Sequence, residues 1–387
     1  MSRKIEEKQG EKSSAQAFAY TPGLKIKEAM TVEKERKLPI QGEVLVKENE
    51  TVEDTTKVAQ TNVPGDPYII DAAMIWGVLP ETIQDCMLKP IGGEVKKGEV
   101  IAKYSSFFGL FKKELVSPLE GSIEIVSKIT GQVTIRGAPL PVYTDAYIPG
   151  TVKGVMPKEG AVIETNAVFI QGIFGIGGET HGVIKVPVSG PKDILKAEQI
   201  TPEMKGKIII AGSLITMDVL KKAVEVGAAG VIGGGINSTD LIQFMGTEIG
   251  VAITGEEELG ITMIITEGFG QLSMHPKTFT VLKKYEGYRA SISGETQIRA
   301  GVIRPEVIIP HKNAVPEGSK MLSDGMIPGT PIRIIRNPYF GAIAKVVRLP
   351  VELQMVESGS MVRVLEAELE DGRKVIVPRA NVEMIEE

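Results

Sequence analysis

Four short stretches place glycine and small polar residues where a ligand could meet the main chain. They are Ala211-Gly212-Ser213, Gly233-Gly234-Gly235, Thr254-Gly255-Glu256 and Thr266-Glu267-Gly268-Phe269-Gly270. Each follows an apolar run that reads as a buried strand, so each falls at a strand's carboxyl end. In an open parallel sheet such ends share one edge, and ligands bind there. Glycine lets a ligand approach the backbone, and the free N–H groups of a following helix suit an anion. The candidate ligand contacts are Ser213, Gly233, Gly234, Gly235, Asn237, Thr266, Glu267 and Gly268, with Ser238 and Thr239 as further donors. Glu267 could read a hydroxyl or act as a base. The implied chemistry is binding of an anionic, phosphorylated or nucleotide-like small molecule. The same glycines also suit a chain that must turn sharply into a helix. None of the four is a G-x-G-x-x-G or G-x-x-x-x-G-K-[ST] loop.

Nothing else in the chain marks a reaction. No Ser-His-Asp set can be placed, because no motif brings a nucleophile and a base together. The three histidines (His181, His275, His311) are scattered and Cys86 is the single cysteine, which excludes an internal disulfide and a thiolate metal cluster. His275 precedes Pro276 at a helix start and reads as a cap. His181, in GGETHG, reads as a loop histidine. Glu256 to Glu258 read as a solvated turn. No catalytic residue, cofactor or metal is expected.

The elements that carry the glycines read as α/β. KIIIAG from Lys207 is a strand buried on both faces. DVLKKAVEVGA is a helix capped by Thr216 or Asp218 and ended by Gly227. AGVIGGG, VAITG and ITMIITEGFG are further strands. TDLIQFMG is a short helix, and HPKTFTVLKKYEG a helix entered through Pro276. This alternation implies a parallel sheet with crossover helices. Arg289, Arg299 and Arg304 follow, interleaved with apolar residues.

With 387 residues, two to four domains are expected. The fold class is multidomain, β-rich plus α/β. Residues 1–30 are polar and charged and read as a disordered arm. Residues 31–188 read as a β-rich domain with a helical insert at 67–89, in which Pro80 opens the second helix. Residues 189–312 form the α/β domain, and 325–387 a small barrel. The formal net charge of −5 argues against a dominant phosphate-binding face. No run is long enough to span a membrane, and the first residues lack the apolar core of a signal peptide, so a cytoplasmic location is expected.

Three resemblances attach to these regions. Ile332, Ile334, Phe340, Gly341 and Val346, in GTPIRIIRNPYFGAIAKV, resemble the KOW module, an SH3-like barrel of NusG-type factors and some ribosomal proteins. That resemblance implies a binding surface, with Arg333, Arg336, Tyr339, Phe340 and Lys345 as candidate partner contacts. Asn337 and Pro338 belong to its turn. The acids Glu366, Glu368, Glu370, Asp371 and Glu383 offset the basic residues, and LPVELQMVESGS is longer than the family's connection.

P-x-x-G-x-V, V-K-K-G-E-V-I-A and S-P-L-E-G look like halves of a lipoyl- or biotinyl-type barrel-sandwich hybrid, with Gly42, Gly98, Gly121 and Gly131 at its turns. Lys112 and Lys113 lie near the place of that family's modified lysine but lack its flanking pattern. KGKIII, Ala223, Gly227, Ala228, Gly230 and Val231 resemble the swivelling β/β/α fold. The functional expectation is a non-catalytic adaptor. Its barrel would bind a protein or an RNA–protein assembly, and strand edges would permit self-association. The alternative is an enzyme or sensor holding a ligand at the glycine-rich strand ends.

Overall fold

A computed structural model describes residues 24–106, 111–246, 259–297, 303–311, 326–336, 338–356 and 359–386. The chain forms two compact units: residues 33–164, and a larger unit of 1–32 with 165–387. The expected arm at 1–30 is corrected at its end, because a strand begins at Leu24 and runs to Lys37. The preceding residues lie outside the described ones, as do the expected strand VAITG, Thr254 to Glu256, Glu257, Glu258, Arg299 and Asn337.

The unit at 33–164 is β-rich. One antiparallel sheet runs in the order Pro67–Asp71, Gln132–Gly137, Gly121–Val126, Glu94–Val95. A second joins Leu140–Asp145, Lys57–Val63 and Glu43–Val44. A hairpin, Val100–Ser106 with Phe111–Val116, stands apart from both. The region expected to be a helical insert opens as a strand and then forms two short helices, Ala72–Trp76 and Thr82–Asp85. Trp76 and Ile83 from these helices join Ile101, Ile123, Val133 and Ile135 in this unit's core.

The same turn occurs twice here. In Lys47–Glu50 and in Lys96–Glu99, the glutamate amide donates to the lysine carbonyl, at 3.2 and 3.0 Å. The glutamate carboxylate accepts from the lysine amide, at 2.9 and 2.8 Å. The third residue is left-handed in both, Asn49 at φ 66° and Gly98 at φ 81°. Even the partner strands match. Asn49 and Gly98 donate to Val152 and Ser117, which donate back to Glu50 and Glu99. The motif P-I-x-G-E-V precedes each turn. Of the four glycines expected at turns, Gly98 and Gly131 (φ 68°) are turn residues. Gly42 and Gly121 are corrected: a Cβ there would meet Gln60 O at 2.2 Å and Arg136 O at 1.9 Å, so they serve close chain approach.

The larger unit is built on a mixed sheet. Gly230–Ile236 lies parallel between Lys207–Ile210 and Thr262–Phe269, and Lys207–Ile210 also pairs in parallel with Glu179–Lys185. Arg289–Ser293 and Glu306–Pro310 continue the sheet antiparallel. The expected parallel sheet with crossover helices is found at 207–269 but is extended by antiparallel strands, so the sheet is mixed. The boundary at 188/189 is corrected, because strands of 165–185 belong to this sheet and not to the preceding β domain. His181 sits on the Glu179–Lys185 strand, opposite Ser291, and not in a loop.

Helix Met217–Val226 begins at Thr216, whose side chain accepts from Val219 N, and ends at Gly227 in the left-handed conformation. It buries Val219, Leu220 and Ala223 against the sheet. The last segment forms a five-stranded antiparallel sheet in the order Lys374–Pro378, Met361–Leu369, Ile343–Arg348, Pro331–Ile334, Val382–Glu386. It wraps a core of its own that includes Ile332, Ile334, Val346, Leu365 and Val382.

Candidate functional site at the strand ends and the C-terminal sheet

The glycine-rich strand ends converge, but their space is filled by the chain itself. All seven residues of Gly230–Ile236 are buried. A Cβ on Gly233 would meet the Ile215 side chain at 2.5 Å, on Gly234 Leu272 O at 2.0 Å, and on Gly235 Gly270 O at 2.1 Å. The segment 268–274 folds back over the strand, and Met274 N sits 2.8 Å from the Gly234 Cβ position. These glycines admit backbone, which is the role a ligand was expected to take. Ser213 is 1% exposed and donates its hydroxyl to Lys192 O at 3.0 Å. Thr266, also buried, donates to Gly233 O and to Glu267 Oε1. Asn237 is exposed before helix Ser238–Met245 and makes no side-chain cap bond. The expected ligand pocket is not assembled by these eight residues.

Glu267 is committed elsewhere. Its Oε2 lies 2.8 Å from Arg333 Nη1, and its Oε1 accepts from His275 N at 2.9 Å and from Thr266 Oγ1 at 3.0 Å. Arg333 Nη1 also donates to Thr266 O at 3.0 Å, and Nη2 to Glu383 Oε2 at 3.0 Å. Glu383 in turn pairs with Arg304 at 3.1 Å. The Arg333 side chain is 2% exposed and that of Glu267 6%. The cluster therefore joins the end of the Thr262–Phe269 strand to two strands of the C-terminal sheet. A lone buried charge would be severely destabilised; here each charge has an opposite one and several hydrogen bonds. His275 caps helix Pro276–Lys284 by accepting from Lys277 N, as expected, and its amide holds Glu267.

The expected partner contacts divide. Arg333 is corrected: it is buried inside the unit and cannot reach a partner. Tyr339 is half-buried and packs on the C-terminal core. Phe340 is 45% exposed, and its ring end lies 3.5 Å from where a Gly268 Cβ would sit. Gly341, at φ 81°, lies against Leu272. The Tyr339-Phe340-Gly341 turn thus faces the strand-end segment of its own chain. Arg336 and Lys345 are exposed. The residue missed in the sequence was Glu383 as a ligand of Arg333. The available signal was an arginine inside the apolar run Pro331–Ile334.

The connection around Leu353 carries the most exposed apolar side chains of this sheet. Leu353–Met355 pairs with 361–363 as a hairpin, and Met355 stands opposite Met361. Val351, Leu353, Met355 and Met361 are 71, 51, 73 and 54% exposed.

In the 33–164 unit an open groove of about 890 Å³ runs past Lys89, Lys96, Lys97, Glu94, Glu99 and Glu120. Lys89 is already bound to Glu94 O and Glu99 Oε1, each at 2.6 Å, so the groove offers mixed, largely exposed charge. Lys113 is not a presented lysine: its ammonium donates to Trp76 O at the end of helix Ala72–Trp76. Burial, with Asp85 nearby, pushes the Cys86 thiol up. Among the described residues no group of three or more His, Cys, Asp or Glu could hold a metal ion, and no helix is long and apolar enough to cross a membrane. No protein-family model, curated protein or solved structure matches the chain.

Proposed function

We propose that this protein is a non-catalytic scaffold that binds a protein partner through the paired segments 351–355 and 361–363 of its C-terminal, KOW-like sheet. The observation that carries this reading is the exposed row Val351, Leu353 and Met355 with Met361. Leu353 and Met355 are alternate residues of strand Leu353–Met355 and share a face, Met361 stands opposite Met355, and Val351 lies in the bend before the strand. Methionine suits an adaptable protein contact. A surface of this kind favours protein over RNA, because RNA binding needs basic residues free of acids. Here Arg348 is paired with Glu366 at 2.5 Å and Arg373 with Asp371 at 2.7 Å. The turn that would stack on a base, Tyr339 and Phe340, is engaged with the rest of the unit. The 33–164 unit, with its duplicated turn, fits a barrel-sandwich-like module in which Lys113 is engaged by Trp76 O.

The test is photocrosslinking in lysate with a benzophenone side chain at Met355, with and without nuclease. The expected result is a discrete protein adduct that survives nuclease and is lost in L353D. An adduct unchanged by L353D, or one abolished by nuclease, overturns this reading.

A further inference from the structure

Arg333 has a fifth donor that the ion cluster does not use. Its two terminal nitrogens bind Glu267, Thr266 O and Glu383, while Nε is buried and meets no acceptor among the described residues. Leaving a buried donor unpaired is costly, because its lost hydration is not replaced. Arg333 also lines a small space of about 10 Å³. Its walls come from separate segments: Leu24 and Ile26 of the first strand, Gln171, Thr266 with Glu267, His275 with Thr278, and Arg333 with Ile385. The volume matches one water molecule, which needs roughly 10–15 Å³ and two to four polar neighbours. The Glu267 carboxylate in the wall disfavours an anion.

We infer that this space is a specific site for a single ordered water that accepts from Arg333 Nε. Gln171 and Thr278 are polar residues of the wall, beside Thr266, Glu267 and His275. Gln171 Oε1 already accepts from Lys25 N at 3.3 Å, so its amide nitrogen remains to donate. The water completes the guanidinium's hydrogen bonds. It also links the end of strand Gly160–Gln171, the helix start at Pro276 and the C-terminal sheet, through Gln171, Thr278 and Arg333.

The experiment is a crystal structure of the full chain at about 1.6 Å, for wild type and for Arg333→Lys. The expected result is a spherical density peak within 3.2 Å of Arg333 Nε, of the hydrogen-bond length typical for such pairs. In Arg333→Lys, which has no Nε, that peak is lost or displaced while the surrounding walls superpose. A wild-type site with no peak overturns the inference, as does Nε donating directly to a protein acceptor. A peak that stays in place in Arg333→Lys overturns it too, since the water would then owe nothing to Nε.

Discussion

The two units use ion pairs to opposite effect. In the 33–164 unit Lys153 reaches Glu33 at 2.5 Å and Glu164 at 2.9 Å, with all three side chains open to water. In the larger unit Arg333 meets Glu267 and Glu383 with almost no exposure. Distances are similar, yet the consequences differ. Water screens the first pair and competes for it, so it contributes little. The second is shielded from bulk solvent, so removing one partner leaves a buried charge behind. Distance alone does not rank an ion pair; burial does.

The largest effect should come from breaking the buried cluster. Arg333→Ala leaves the buried Glu267 without its cation and Glu383 with Arg304 alone. It is expected to cost about 3–5 kcal/mol in urea unfolding. Next comes the packed strand end. Gly234→Ala puts a Cβ on Leu272 O, a backbone atom that cannot swing away. A loss of about 2–4 kcal/mol is expected by the same measurement. A neutral outcome would mean that the segment 268–274 is not seated on the strand.

A partly exposed pair lies between these extremes. Lys185 holds Glu286 at 2.6 Å and Val186 N donates to the same oxygen at 3.2 Å. The Lys185 hydrogen bond, helped by Val186 N, holds the Glu286 carboxyl below its ordinary value. A folded carboxyl with a lowered pKa binds its proton less readily than the unfolded one. Its contribution is therefore full above the ordinary carboxylate range and lost as pH falls through the lowered value. Glu286→Gln should remove this acid-side dependence and cost under about 1 kcal/mol near neutrality, because the pair is partly open to solvent. Comparing urea midpoints of wild type and variant from pH 7 down to pH 3 checks it. The smallest effect belongs to Lys153→Ala, for which the melting temperature should stay unchanged within error.

Much of the local structure was legible. Thr216, Gly227 and Pro276 mark helix ends through capping chemistry that acts within a few residues. The buried strands at 207 and 230 show as unbroken apolar runs. The meaning of the glycine clusters was not legible, because Gly233 to Gly235 look the same whether ligand or backbone fills the space above them. That choice depends on Leu272 and Met274, some forty residues away. Nor did the sequence separate Arg333 from Arg336. Both sit in one basic, apolar stretch, but one points into the unit and the other into solvent. The boundary near 188 was misplaced for a related reason: strands 174–176 and 179–185 carry β patterning but no sign of which sheet they join.

A double-mutant cycle on Arg333 and Glu267 tests most directly whether the C-terminal sheet is held to the strand ends by a desolvated charge pair. Urea unfolding of wild type, Arg333→Met, Glu267→Gln and the double variant would give the coupling energy. The account predicts a coupling of about 2 kcal/mol or more. A coupling indistinguishable from zero would contradict it, and with it the claim that a buried ion cluster fixes the C-terminal sheet to the end of the Thr262–Phe269 strand.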